Sequence, residues 1–562
     1  MRPILEKDSS ELLPVVRISG WLERLLLAAL LTVYGFIQIR GLLIPGLNGD
    51  EASGGVWTQK IIRLGWQGFK QWPLGGSYHA ALQSYLYVPF FLLIKTPLLA
   101  LRIGELFFSS VVIALAYLCA RRFFGVLAAL FMLVFLLFNP VFIYMSRIST
   151  PHGGVMAAFW LGALLFLDSW HKTSKDRWLF AAAFLTGAGF CVYIWFYWFI
   201  FGLLFSTLAV YSREIMALFF RPVRWRRIAG GGVSFLFGLT PYILKEIYGH
   251  YENLFRLAIA SLHHGIWGSV NNFEILSNWG VSLWQFLGTL AGGMWDILPY
   301  YSLVHDGFIS FMMIYCGFLL ASSAAILLFW KPSRGTRRRR DLFLVALLGG
   351  MLLPSCLTLS TFRQLHLYLI FPLPQMIMGA AAAALFDRSW AARPRAKTLC
   401  LALLLFIASP FLYLREYSSV ESFLRMTGGT GTVSDSIETI ANWLEKHGYF
   451  TPVACDWGLA VPLQLLSNGR ITPLSLWPDL NAGDRGFFRH PGGDNVYLLY
   501  AAHGNLPFAS AALTRQGLAF HVLKTFYTKN GEPNAVACAV IKRGRANLPQ
   551  NQKHRSELMN LP

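Results

Sequence analysis

The sequence predicts a polytopic α-helical membrane protein that ends in a small α/β domain, and three observations carry that prediction. Of the 562 residues, 55% are hydrophobic and only 14% charged, with a mean hydropathy of +0.49. A soluble chain carries nearer a quarter charged residues. Apolar runs approaching the ~20 residues that cross a bilayer recur up to about residue 414. Beyond that point the pattern changes to alternating helical and strand-like stretches.

The apolar runs fall near 21–41, 98–120, 125–146, 153–170, 178–194, 196–211, 229–247, 306–330, 341–359, 366–386 and 398–414, about eleven spans. The net charge of +20 is not spread as a nucleic-acid binder would spread it. It gathers at Arg121 and Arg122 and at 171–177, 213–227, 331–340 and 387–397. Each cluster separates two apolar runs, as cytoplasmic loops do under the positive-inside rule. The charge is therefore a topology signal with an added attraction to anionic membrane lipids, and no nucleic-acid partner is expected. With the N-terminus inside, every basic loop lands inside and an odd count puts the C-terminus outside. Residues 1–20 are too long and acidic for the n-region of a signal peptide and read as a cytoplasmic segment before an uncleaved span.

The domain plan is then a transmembrane domain over 21–414 with outer loops 48–97 and 248–305, an extracytoplasmic α/β domain over 415–545, and a disordered tail over 546–562. In the first loop, residues 56–72 alternate apolar and aromatic positions with Lys and Arg, as a helix lying in the interface would. The second loop is rich in Trp, Tyr and Phe, which suit the headgroup level. In the α/β domain, Asp435 and Glu438 have capping-box spacing, Ile437, Ile440, Ala441 and Leu444 form one apolar face, and Gly448 closes the helix. Strand-like runs follow in "TPVACDW", "NVYLLYAA", "FHVLKTFY" and "AVACAVIKR", the last two joined by an Asn-Gly turn. Of seven cysteines, Cys119, Cys191, Cys316, Cys356 and Cys400 lie in apolar runs as small core residues. Cys455 and Cys538 could pair in an oxidising compartment or stand as separate core residues.

The stretch "LLIPGLNGDEASGG" places Asp50 and Glu51 at the end of the first apolar run. Carboxylates are costly beside hydrocarbon, so the pair is either functional or a solvated loop end. After it comes "ALRIGELFFSSVVIALAYLCARRFFG". This order of parts resembles the membrane glycosyltransferases of the C fold (GT-C), which include protein O-mannosyltransferases, aminoarabinose transferases and bacterial family 39 relatives. The matching positions are Asp50, Glu51, Arg102, Arg121, Arg122, Phe124 and Gly125. The resemblance covers residues 20–415 and is strongest over 45–150, and a C-terminal outer module fits the family's habit of carrying one. Two departures stand out: Gln83 occupies a position where an acid is expected, and Thr150 and His152 stand where many relatives have an aspartate. A divalent metal ion as cofactor is left open.

The resemblance implies transfer of a sugar from a polyprenyl-phosphate donor to a hydroxyl acceptor on a glycolipid, polysaccharide or protein, at the outer face of a bacterial inner membrane. The phosphate leaving group needs its developing charge stabilised rather than protonated. The acceptor hydroxyl needs one base. Asp50 fits the base, giving an inverting displacement, and Glu51 is the neighbouring catalytic, structural or metal candidate. Arg147, His152, Arg363, His366, His79 and Lys245 are the candidates for holding the donor and its phosphate; the alternatives are interface anchoring for Arg147, Arg363 and His366 and a span-flanking place for Lys245. A second carboxylate about 5 Å away, needed for double displacement, has no strong candidate. The rival readings are a catalytically divergent scaffold subunit and a lipid or sugar transporter. A transporter expects acids or broken helices at the midplane, and the interiors of the apolar runs hold almost no acids, Glu105 and Asp168 being exceptions and Asp168 lying at a cytoplasmic edge.

Overall fold

The structure is a computed structural model that describes residues 18–71, 82–148, 153–219, 225–248, 274–293, 306–330, 336–356, 364–391, 396–476, 495–501, 506–515 and 518–542. In chain order the first helices are α1 (Gly20–Arg40), α2 (Gly49–Gln71), α3 (Leu82–Leu93), α4 (Pro97–Phe124), α5 (Val126–Leu137), α6 (Pro140–Met145), α7 (Gly153–Thr173), α8 (Asp176–Phe190), α9 (Tyr197–Phe219) and α10 (Trp225–Tyr248). They are followed by α11 (Ile275–Ala291), α12 (Asp306–Ala325), α13 (Thr336–Leu352), α14 (Gln364–Leu367), α15 (Leu373–Ala391) and α16 (Ala396–Thr427). The C-terminal elements are α17 (Ser436–Lys446), β1 (Val453–Ala454), α18 (Ala460–Leu466), β2 (Leu474–Ser475), β3 (Val496–Tyr500), α19 (Leu506–Arg515), β4 (Leu518–Tyr527) and β5 (Pro533–Lys542). Two compact units result, one from residues 1–40, 74–83 and 104–418, the other from 41–73, 84–103 and 419–562.

The first unit is the membrane part. The apolar runs read as spans are largely helical over their described residues, with turns interrupting 125–146, 178–194 and 366–386. Among the described residues, five helices are long and apolar enough to cross a membrane: Gly20–Arg40, Pro97–Phe124, Gly153–Thr173, Ile194–Ser212 and Gly307–Phe329. The run 125–146 is two helices rather than one. Asn139 ends the first and caps the second, its side chain accepting the Phe142 N–H at 3.2 Å, with Pro140 at the first helical position. Helices α8 and α10 cross where a glycine on each faces the partner's backbone. A Cβ on Gly187 would stand 2.1 Å from the Phe235 carbonyl oxygen, and one on Gly238 2.2 Å from that of Phe184. Small residues allow this approach where lipid supplies no hydrophobic drive between helices. The arginines of "ARRFFG" tie helix ends: Arg121 pairs with Glu23 of α1 at 3.0 Å, and Arg122 donates to Ser169 of α7 at 3.0 Å.

The second unit joins the C-terminal domain to two segments from near the start of the chain. Its sheet has the order β2-β1-β3-β5-β4, with β1 parallel to β2 and β3, and β5 antiparallel to β3 and β4. The expected domain start at residue 415 falls inside α16, which runs unbroken to Thr427 before the chain turns at Gly428 (φ +74°). In α17, Ile437, Ile440, Ala441 and Leu444 are buried as the spacing predicts, and Gly448 (φ +74°) ends it. The capping box does not form. Asp435 is itself in the helical region, and its carboxylate pairs with Lys529 at 2.8 Å instead.

Cys455 and Cys538 are both buried and form no disulfide, so of the two alternatives above they are separate core residues. Cys455 follows β1, Cys538 lies on β5 opposite Tyr497, and β3 runs between the two strands. Two strand spacings are about 9.5 Å, beyond the roughly 7 Å between Cα atoms that a disulfide tolerates. Burial pushes the Cys538 thiol up to about 12 and the Cys455 thiol well above its ordinary value. Neither should react with a thiol reagent in the folded protein, and both should react after unfolding without reductant. Mass-spectrometric mapping of the labelled peptides reads this out, and an unlabelled pair in the unfolded sample contradicts it.

Candidate functional site

The acid pair begins a helix rather than ending a loop. Asn48 caps α2: its side-chain oxygen accepts the Glu51 N–H at 2.9 Å, and its carbonyl accepts the Ala52 N–H at 3.0 Å. Gly49, Asp50 and Glu51 therefore form the first turn, where the positive end of the helix dipole favours carboxylates. The two acids diverge from there. Glu51 is fully buried, whereas Asp50 is half-buried.

The Glu51 carboxylate is held in a fork by Arg102, on the second turn of α4 and also fully buried. The guanidinium Nε donates to Oε1 and Nη2 to Oε2 at 2.9 Å. Its remaining donors reach the carbonyls of Leu42 at 3.1 Å and Pro45 at 3.0 Å. One side chain thus locks the turn that delivers Asp50. The same turn is fixed from its other side, where the Gly46 N–H donates to the Val433 carbonyl at 2.8 Å. A Cβ on Gly46 would stand 2.3 Å from the Ser434 carbonyl carbon, so only glycine fits. Further along α2, Gln59 donates to the Asn468 side chain at 2.9 Å and Arg63 to the Asn468 carbonyl.

In the membrane unit Arg147 is fully buried and does not snorkel to an interface. Its Nε donates to Gln38 at 2.7 Å, and Nη2 to the Ile37 carbonyl at 2.7 Å and to the Tyr417 hydroxyl at 3.3 Å. The neighbouring Ser146 hydroxyl lies 3.3 Å from that of Tyr368. Two residues before Tyr368, the buried His366 ring stacks on Trp195 with centroids 4.7 Å apart. Arg147 and His366 thus stand one and two residues in sequence from the two hydroxyls of the Ser146–Tyr368 contact. Glu105 is buried too, against the first turn of α7, where a Cβ on Gly154 would meet its Oε1 at 2.4 Å. Asp168 bonds Lys172 at 2.7 Å.

His79, His152 and Arg363 lie outside the described residues, as do His263, His264 and His305 of the second outer loop. Lys245 sits in the last turn of α10, but its side chain is not described. Gln83 is buried in the first turn of α3. Among the described residues no three His, Cys, Asp or Glu side chains group so as to hold a metal ion. Both oxygens of Glu51, the acid left open to metal duty, are on Arg102. The sequence reading missed what Arg102 does, and it missed the cap. The Asn48-x-x-Glu51 spacing was a legible helix-start signal.

Removing Arg102 breaks a buried ion pair by taking away one partner, a change that typically costs about 3–5 kcal/mol. Arg102→Ala should therefore lower the thermal midpoint of the detergent-solubilised protein sharply. Arg102→Lys should fall between, because an ammonium cannot reproduce the fork. An unchanged midpoint for the alanine variant would show that the pair does not hold the turn.

Residues 78–225 match the family model of dolichyl-phosphate-mannose-protein mannosyltransferases. No curated protein sequence matches the chain. Among solved structures, ArnT from Cupriavidus metallidurans bound to undecaprenyl phosphate superposes with a TM-score of 0.55 at 15% identity, over 93% of this chain and 98% of that one. The apo state of the same protein gives 0.54 at 16% identity, over 92% and 98%. At such identities the likeness speaks for the fold: a multi-pass, mostly helical GT-C architecture with a small C-terminal sheet. One segment of the chain thus resembles the mannosyltransferase family, and the chain as a whole shares the fold of ArnT.

Proposed function

We propose that this protein moves a hexosyl or pentosyl group from a polyprenyl-phosphate donor to a hydroxyl of a glycolipid, envelope polymer or protein, at the outer face of a bacterial cytoplasmic membrane. The observation that carries the reading is the first turn of α2, where Arg102 ties down Glu51 and the half-buried Asp50 is presented from a fixed helix start. A polyprenyl phosphate bound to ArnT supports the donor class.

Asp50 takes the proton from the acceptor hydroxyl as that oxygen attacks the anomeric carbon. The bond from the anomeric carbon to the phosphate oxygen breaks, the electron pair leaves with the phosphate, and the configuration inverts. No acid is required, because the phosphate is already a good leaving group; its charge needs cations. His79, His152, Arg363 and Lys245 are the proposed partners of that phosphate. Arg147 and His366 order the neighbourhood of Ser146 and Tyr368. Glu51 acts through Arg102 as a positioning residue.

Asp50→Asn keeps size and hydrogen bonding but cannot accept the proton. A general base contributes ~10²–10⁴-fold in rate, so the variant should lose at least two decades of transfer while still binding the lipid donor. The measurement is mass spectrometry of envelope glycans and polyprenyl-linked sugars in cells lacking the gene, complemented with parent or variant. Parent-like product from Asp50→Asn would sink the assignment. The outward orientation has its own test. A reporter active only in the cytoplasm, fused after residue 545, should be silent, and a bright signal would reverse the topology.

A further inference from the structure

Trp457 stands apart from the exposed aromatics of the membrane helices, whose solvent is lipid. It lies in the turn after β1, and it is 36% exposed while both Cys455 and Asp456 before it are buried. That turn is rigid. The Cys455 N–H donates to the Leu498 carbonyl at 3.0 Å, and the Asp456 carboxylate accepts the Tyr500 N–H at 2.7 Å. Gly458 closes it at φ +89°, with Thr432 so near that a Cβ would stand 3.2 Å from its side chain. The turn abuts the start of α2. From where a Cβ on Gly49 would stand, Cζ2 of Trp457 is 3.6 Å away and Cα of Gly458 is 3.1 Å away. Gly49 immediately precedes Asp50. A flat, pre-ordered apolar face therefore sits beside the turn that presents the base.

Such a face suits the C–H side of a sugar ring, with a reduced ordering cost because the turn that carries the indole is already held. Which sugar it faces follows from the stereochemistry of an inverting step. The base touches the attacking hydroxyl, on the side of the anomeric carbon opposite the departing phosphate. A side chain beside the base is on the acceptor side. We propose that Trp457 is the platform on which a sugar ring of the acceptor stacks next to Asp50; this rests on the transfer reading above.

The test uses full-length protein and membranes from a host lacking the gene, which carry the natural acceptor. Those membranes are diluted stepwise with plain phospholipid vesicles while donor-lipid extract is held constant, and product is read by mass spectrometry. Trp457→Ala should approach the parent rate in undiluted membranes and fall roughly tenfold below it when acceptor is sparse. Trp457→Phe should restore most of the loss, and Trp457→Leu, apolar but not flat, should not. Asp50→Asn should be low at every dilution. Two results overturn the platform: Trp457→Ala tracking the parent throughout, or Trp457→Leu rescuing as well as Phe, which marks a packing role. A parent protein that transfers no sugar would instead sink the transfer reading, and the platform with it.

Discussion

The buried ion pair between Arg102 and Glu51 is the constraint on which the second unit's arrangement turns. Taking two full charges out of water is costly, and the cost is offset only when their donors and acceptors are matched. Here the match extends beyond the fork, since the guanidinium also satisfies the Leu42 and Pro45 carbonyls. The arginine therefore fixes both the carboxylate and the bend of the chain leading to it. Such a pair contributes geometry more than net stability. Once residues 42–51 are set, Gly46 can bond Val433, Asn48 can cap α2, and α2 points along a line that lets Gln59 and Arg63 reach Asn468.

That dependence explains which parts of the fold could be read from the sequence. Spans follow from local hydropathy, so the apolar runs are largely helical over their described residues, and the break at Asn139-Pro140 has a local signal of its own. The face of α17 and the β4–β5 turn at Asn530-Gly531 are local too, and both are present. Helix α2 was expected to lie in the membrane interface because its composition alternates. In the structure, described polar residues Gln59 and Arg63 bond a partner some 400 positions away, separations of 409 and 405 residues that no local pattern encodes. The short α18, which contains Pro462, and the two-residue β2 are too brief to register as elements on their own.

In the membrane unit the ionisable groups serve architecture. Arg147 holds α1 and α16 through Gln38, the Ile37 carbonyl and Tyr417. Glu105, an acid that a transporter reading would have enlisted, lies against the start of α7, where a helix dipole favours a carboxylate. Asp168 is answered by Lys172 one turn on. An acid that moves ions must exchange partners; these are packed into helix ends.

Asp50 and Glu51 are neighbours in sequence, and this is what separates their roles. Successive residues on an α-helix project about 100° apart. A turn that buries one of two adjacent acids must swing the other toward its rim, so an Asp-Glu dipeptide at a helix start is not a carboxylate dyad. Glu51 goes inward because Arg102 waits there with a fork; Asp50 is left at the surface of the same rigid turn. A nucleophile-and-acid pair would require both carboxylates to face one substrate, which this geometry denies to Glu51. The pair thus divides into an acid held by an arginine and an acid at the rim of the turn. A single reactive carboxylate is the requirement of a one-step inverting transfer to a good leaving group.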